Sequence, residues 1–183
     1  MEARLLKTSY TEEDYYNTAE DERIELIDGQ IYNLASPSRT HQELTGELFG
    51  RIREYIKSKG GPCKVYAAPF AVKLNEDDKT IVEPDISVIC DRDKLTEKGC
   101  HGAPDWIIEI VSPSTSSRDY ILKFNKYLAA GVREYWIVDH ASQAIAVYFF
   151  AVGSTARLYT FSEKIKVRIW DDFYIDFNDI DLS

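Results

Sequence analysis

Hydrophobic patterning is densest at Trp106-Ile107-Ile108-Glu109-Ile110-Val111, a run rich in β-branched residues that Pro113 stops. Such a run predicts a strand covered on both faces, at the middle of a sheet. Glu109 breaks it. Side chains alternate along a strand, so Glu109 shares a face with Ile107 and Val111. An ionised carboxylate there is costly unless it is paired, wetted or coordinated. An ion pair with a buried arginine would satisfy it, and so would a working role in a cleft.

The same pattern orders the rest of the chain. Thr11-Glu12-Glu13-Asp14 predicts a short capped helix through Tyr16. Asp28-Gly29 lies between two alternating apolar runs, 23–27 and 30–34, which predicts a hairpin. After Ser36-Pro37-Ser38, apolar residues recur at helical spacing from Leu44 to Ile56, and Gly60-Gly61 ends the helix. Residues 64–74 read as one strand, with Pro69 marking an edge or bulge. Residues 81–90 read as another, and 91–102 as a charged connection. A second helix is expected over about 118–130, capped within 114–117, with Ile121, Phe124 and Leu128 as its apolar stripe and Gly131 at its end. Strands follow at 133–139 and 144–150, then shorter ones around 157–161, 164–170 and 173–177. Tyr135 and Trp136 read as core. No repeat or linker divides the chain. The expectation is one α/β (α+β) domain over 1–183, with a mixed central β-sheet flanked by helices, an N-terminal β-hairpin and extra C-terminal strands.

Composition narrows the function. The chain has 183 residues, 44% of them apolar and 13% aromatic, enough for a substantial core. The longest apolar stretch, near Ala144–Val152, is too short to span a bilayer, so a cytoplasmic protein without membrane contact is expected. Three cysteines, Cys63, Cys90 and Cys100, form no CxxC pair, which argues against a disulfide framework and a structural zinc site. A net charge of −9 argues against broad nucleic-acid binding through phosphate neutralisation. It leaves room for a nuclease, because a metal site built of carboxylates is acidic and bound cations offset it. Local cations such as Arg39, Lys64, Lys73, Arg118, Lys123 and Lys126 could line a groove.

A second acid, Asp85, follows Pro84 inside another apolar strand. On its own it could simply make an Asx turn. If its strand neighbours that of Glu109, the two carboxylates lie side by side and repel unless a cation sits between them. Mg²⁺ or Mn²⁺ suits such a pair, taking one or two protein carboxylates, waters and substrate phosphate.

Several motifs point the same way: Glu25-Leu26-Ile27-Asp28-Gly29, Pro84-Asp85, the strand from Gly102 to Glu109, Ser112-Pro113-Ser114-Thr115, Arg118-Asp119 with Lys123, and Ala130 to Asp139. Together they resemble the Uma2 family (DUF820), restriction-endonuclease-like proteins of the PD-(D/E)XK nuclease superfamily. The resemblance implies a restriction-endonuclease-like core with Asp85 and Glu109 as catalytic metal-binding acids, helped by a backbone carbonyl near Ile110. It implies Mg²⁺ as cofactor, nucleic acid as partner, with DNA the expected substrate, and a homodimer. A D…ExK pattern would put lysine where Val111 stands. The family-like reading supplies the cation from Lys123, although Asp119 and Lys123 at i,i+4 could form a mere solvated pair. His41, Gln42, Glu25 and Ser112 are possible substrate or water contacts. His41 could equally be a partly exposed helix-start residue, and Glu25 a solvated hairpin acid. A binding or assembly module with weak or absent catalysis remains the competing expectation.

Overall fold

The computed structural model describes residues 8–17, 22–111 and 118–182, with side chains 118–120 outside that description. Helix α1 (Glu12–Tyr16) is capped as expected: Asp14 Oδ2 accepts from the Thr11 N–H at 2.8 Å and from its hydroxyl at 3.0 Å. Strands β1 (Ile24–Ile27) and β2 (Gln30–Asn33) form the hairpin in the expected register, Ile27 opposite Gln30. Asp28 and Gly29 both take positive φ, 52° and 74°, as a tight two-residue turn requires. Ser38 caps α2 (Arg39–Lys59) by accepting from the His41 N–H, and Gly60 ends the helix in the left-handed region. Leu44, Leu48 and Ile52 bury its inner face.

Two expected strands are each divided. Residues 64–74 form β3 (Lys64–Ala67) and β4 (Val72–Lys73), which enter different sheets on either side of Pro69. Residues 81–90 form β5 (Ile81–Val82) and β6 (Ile86–Ile89), parted at Glu83-Pro84-Asp85. Proline cannot donate to a ladder, so each break falls where pairing must lapse. The charged connection holds a small hairpin, β7 (Leu95–Thr96) and β8 (Gly99–His101). Strand β9 (Trp106–Val111) is buried at every position. A π-helical stretch, Arg118–Lys123, runs into α3 (Phe124–Ala130), and Gly131 closes it. The expected cap within 114–117 lies outside the described residues. Strands β10 (Glu134–Asp139), β11 (Ala144–Phe149), β12 (Arg157–Thr160), β13 (Lys164–Lys166) and β14 (Tyr174–Asp176) complete the chain.

The expected mixed central sheet is present, beside another six-stranded sheet, which holds the N-terminal hairpin, and a two-stranded C-terminal ribbon. The first, hairpin sheet runs β2-β1-β5-β4-β8-β7, the second, central one β12-β11-β10-β9-β6-β3, and β13 pairs with β14. In the second sheet β9 lies parallel to β10 and antiparallel to β6. Trp106, Ile108 and Ile110 point to one side, packing with α2 and the β13–β14 ribbon. Ile107 and Val111 point to the other, packing with α3 and the first sheet. Tyr135 and Trp136 are fully buried in β10, as their pattern suggested.

Two expectations are overturned. Cys63 and Cys90 flank the paired strands β3 and β6 directly opposite one another, and their sulfurs are bonded. Composition cannot reveal such a pairing, because register alone brings the two together. Cys100 is free and buried. The helix stripe is also inverted: Ile121 is 71% exposed and Leu128 38%, whereas Lys123 and Tyr127 face inward. Only Phe124 of the stripe packs, edge-on to Tyr148 and Phe150. Polar partners inside, rather than apolar periodicity, set the rotation of this helix.

Glu134, fully buried in β10, ties the C-terminal segment to the sheet. It accepts from Trp136 Nε1–H at 2.7 Å and from the backbone N–H groups of Arg168 and Ile169 at 2.7 and 2.9 Å. Burial pushes its carboxyl up to about 7 despite these three donors. The folded chain therefore holds a proton that the unfolded chain releases near its ordinary value of 4.5. Stability should fall as pH rises from about 4.5 to about 7, by roughly 3 kcal/mol from this group. Urea titrations across that window should show a shallower fall in Glu134→Gln than in the parent.

Candidate active site

The break at Pro84 positions the site. Ile86 pairs with Ile108, so one further step of antiparallel register sets Asp85 opposite Glu109 at the end of the β6 ladder. Asp85 Oδ2 accepts from the Ile110 N–H at 2.7 Å, a donor left over where β6 stops pairing. The expected role for Ile110 was its carbonyl; the N–H is what holds Asp85. Asp85 Oδ1 makes no hydrogen bond among the described residues, and the side chain keeps 18% exposure. Both acids line a cleft of about 460 Å³ with His41, Gln42, Arg23 and Lys123.

Lys123 settles the question raised by Glu109. Its side chain is 3% exposed, and Nζ lies 2.8 Å from both Glu109 Oε1 and Glu25 Oε1. A solvated pairing of Lys123 with Asp119 does not describe so buried a side chain. Glu25 is equally buried and also accepts the Glu83 N–H at 2.9 Å, so it belongs to the site rather than to a wetted hairpin. Tyr127, one turn after Lys123, donates its hydroxyl to Glu109 Oε1 at 2.6 Å. Burial, then the Glu109 charge, holds the Tyr127 phenol protonated, far above its usual range. Lys126 turns away and pairs with Asp28.

His41 reaches the site from the first turn of α2, with Nε2 3.1 Å from Asp85 Oδ2. Thr45 Oγ1 donates to the His41 carbonyl at 2.8 Å and lies 3.4 Å from Nδ1. Both ring nitrogens thus face acceptors, which suits the imidazolium. Burial opposes protonation, but the hydrogen bond and charge of Asp85 outweigh it, so the His41 pKa rises. Gln42 is exposed at the cleft mouth. Ser112 lies outside the described residues. On the flank, Glu83 takes two bonds from Arg23, at 3.0 and 3.3 Å, and one from Tyr15 at 3.1 Å.

Sequence reasoning missed Tyr127, Glu83 and Arg23. Tyr127 was legible as i+4 from Lys123 on one helical face. The other two are brought in by the first sheet and carry no local signal.

The mixed sheets, with α2 on one face and α3 on the other, place the chain in the restriction-endonuclease-like fold class. The family model described as "Putative restriction endonuclease", Uma2, matches residues 12–168, and the chain belongs to that family. The fold is shared with the crystal structure of a "putative nuclease belonging to DUF820" from Anabaena variabilis, at TM-score 0.77 and 22% identity, covering 93% of this chain and 96% of that one. A Synechocystis protein named "Uncharacterized protein slr1290" is 29% identical over 130 residues, which span 69% of this chain and 66% of that protein. No helix among the described residues is long and apolar enough to cross a membrane.

Lys123→Met should strip the countercharge from two buried carboxylates and cost about 3–5 kcal/mol, measured by chemical unfolding. By NMR titration, His41 should lose its proton above 6.5, and Asp85→Asn should lower that midpoint. The stabilisation linked to the His41 proton is present below its unfolded pKa and lost as pH rises through the higher folded one.

Proposed function

We propose that this chain is a Mg²⁺- or Mn²⁺-dependent endonuclease that hydrolyses phosphodiester bonds in nucleic acid, DNA being the expected substrate. The observation that carries this reading is the cross-strand pair Asp85–Glu109, open to a cleft on one side and backed by Lys123 on the other. The donor set suits a hard cation: oxygen ligands, with Asp85 Oδ1 accessible in the cleft. No group of three or more His, Cys, Asp or Glu side chains converges among the described residues.

When bound, the cation would supply charge neutralisation on the phosphate and a more acidic water. Asp85 and Glu109 would hold it. The Ile110 N–H fixes Asp85, and the Tyr127 hydroxyl fixes Glu109, so neither carboxylate must be ordered on binding. The Lys123 ammonium holds positive charge beside Glu109 and would face the charge that grows on the phosphate. His41, as imidazolium, can donate a proton to a phosphate oxygen or a leaving alkoxide at the cleft mouth. A homodimer that pairs two sites to cut two strands belongs to this reading, as does a cytoplasmic setting.

One observation favours the competing reading, a binding or assembly module. Glu109 Oε1 is already engaged by Lys123 and Tyr127, an arrangement that can serve purely as a buried tether. Activity separates the two. With Mg²⁺ or Mn²⁺ and plasmid or oligonucleotide substrates, Asp85→Asn and Glu109→Gln should each lose at least about 100-fold in cleavage rate. Calorimetry with Mn²⁺ should show uptake by the parent and none by Asp85→Asn. Absence of both uptake and cleavage in the folded parent would leave the module.

A further inference from the structure

The acidic chain carries one concentrated strip of positive charge away from the cleft. Along β13 and its continuation, Lys164, Lys166 and Arg168 alternate with the buried Ile165 and Val167. The extended pairing persists past Lys166, since the Val167 N–H donates to the Phe173 carbonyl at 3.0 Å. All three cations therefore project from one exposed face, about 6.6 Å apart. Arg157 of the edge strand β12 joins them, lining with Lys166 and Arg168 a hollow of about 190 Å³.

These four differ from several cations elsewhere. Arg23, Lys73, Lys126 and Arg133 each pair with a carboxylate. Among the described residues Arg157, Lys164, Lys166 and Arg168 make no ion pair; each lies over an aromatic ring. Arg157 is 5.1 Å from the Tyr159 centroid and Arg168 5.0 Å from that of Phe149. Lys164 and Lys166 stand 5.4 and 6.0 Å from the Tyr174 ring, which is 46% exposed. The two acids nearest in register or sequence form no ion pair with the strip among the described residues and are held by neutral donors. Asp176, opposite Lys164, accepts from Asn178, and Glu163 accepts from Thr160. Glu134 lies buried beneath the strip, holding the Arg168 and Ile169 N–H groups.

Resting on the nuclease reading above, we propose that this strip binds the sugar–phosphate backbone of an extended nucleic-acid strand at a distance from the cleft. Phosphates successive along an extended single strand have close to the spacing of alternate residues on a β-strand. Unpaired cations lose little by exchanging counterions for them. Tyr174, exposed between the lysines, offers a ring on which a base can stack, the combination used by single-strand binders. The strip is remote: Phe149 lies opposite Glu134, which pairs with Trp106, three residues back along β9 from Glu109, and the ribbon covers the opposite face of the sheet. It would retain the strand without touching the reacting phosphate.

The test compares the parent with the triple variant Lys164→Gln, Lys166→Gln, Arg168→Gln and with Tyr174→Ala. A fluorescent oligonucleotide, single-stranded or duplex, is titrated in EDTA over a salt series. The triple variant should bind single strands at least about tenfold more weakly, with the salt slope shallower by about 2. Tyr174→Ala should weaken single strands several-fold and duplex little. Hydrolysis of a small aryl phosphodiester with Mn²⁺ should be unchanged in both variants. Unchanged affinity and slope in the triple variant would overturn the strip, as would a parent that binds no oligonucleotide at low salt. Loss of anionic-vesicle binding with nucleic-acid binding intact would also overturn it, in favour of a membrane surface. Strip-dependent binding without diester hydrolysis would instead sink the nuclease chemistry and leave the strip standing.

Discussion

The site depends on one ammonium group shared by two buried carboxylates. Lys123 lies between Glu25 of the first sheet and Glu109 of the second, 2.8 Å from each. Taking any one of these charges out of water alone costs several kcal/mol. Together they lock three elements — the N-terminal hairpin, the central strand and the helix after it — into one arrangement. The same contact explains why α3 turns its apolar stripe outward. Burying Ile121 and Leu128 would stabilise by a few kcal/mol, but rotating the helix to do so would strand Glu25 and Glu109, which costs as much or more.

Around that contact, the proline breaks place the cleft. Had residues 81–90 stayed one strand, the Ile110 N–H would be spent on a β-ladder and Asp85 would be enclosed. Pro84 ends the pairing one residue before Asp85. The carboxylate can then turn onto the free N–H while one oxygen still faces the cleft. Pro69 plays the matching part on the neighbouring strand, sending the chain from the second sheet to the first. Active-site access is thus a consequence of where hydrogen bonding is forbidden.

The charge distribution follows a similar economy. The cleft nearly balances its acids with Arg23, His41 and Lys123, each held by named partners. Lys164, Lys166 and Arg168 sit over rings and make no ion pair among the described residues, leaving their charge available. A net charge of −9 conceals this segregation, because composition averages over surfaces that never meet the same ligand.

Local chemistry made much of the chain readable in advance. Capping residues, the Asp-Gly turn, the apolar run of β9 and the periodicity of α2 each act within a few residues, so they survive without knowledge of the fold. Asp85 and Glu109 were conspicuous because charge in an apolar strand has a cost visible in one dimension. What tertiary structure alone decided was which groups pay for one another: Lys123 with Glu25 and Glu109, His41 with Asp85, and Cys63 with Cys90. Those partners lie from 14 to 98 residues apart in sequence, and electrostatics and register act through space.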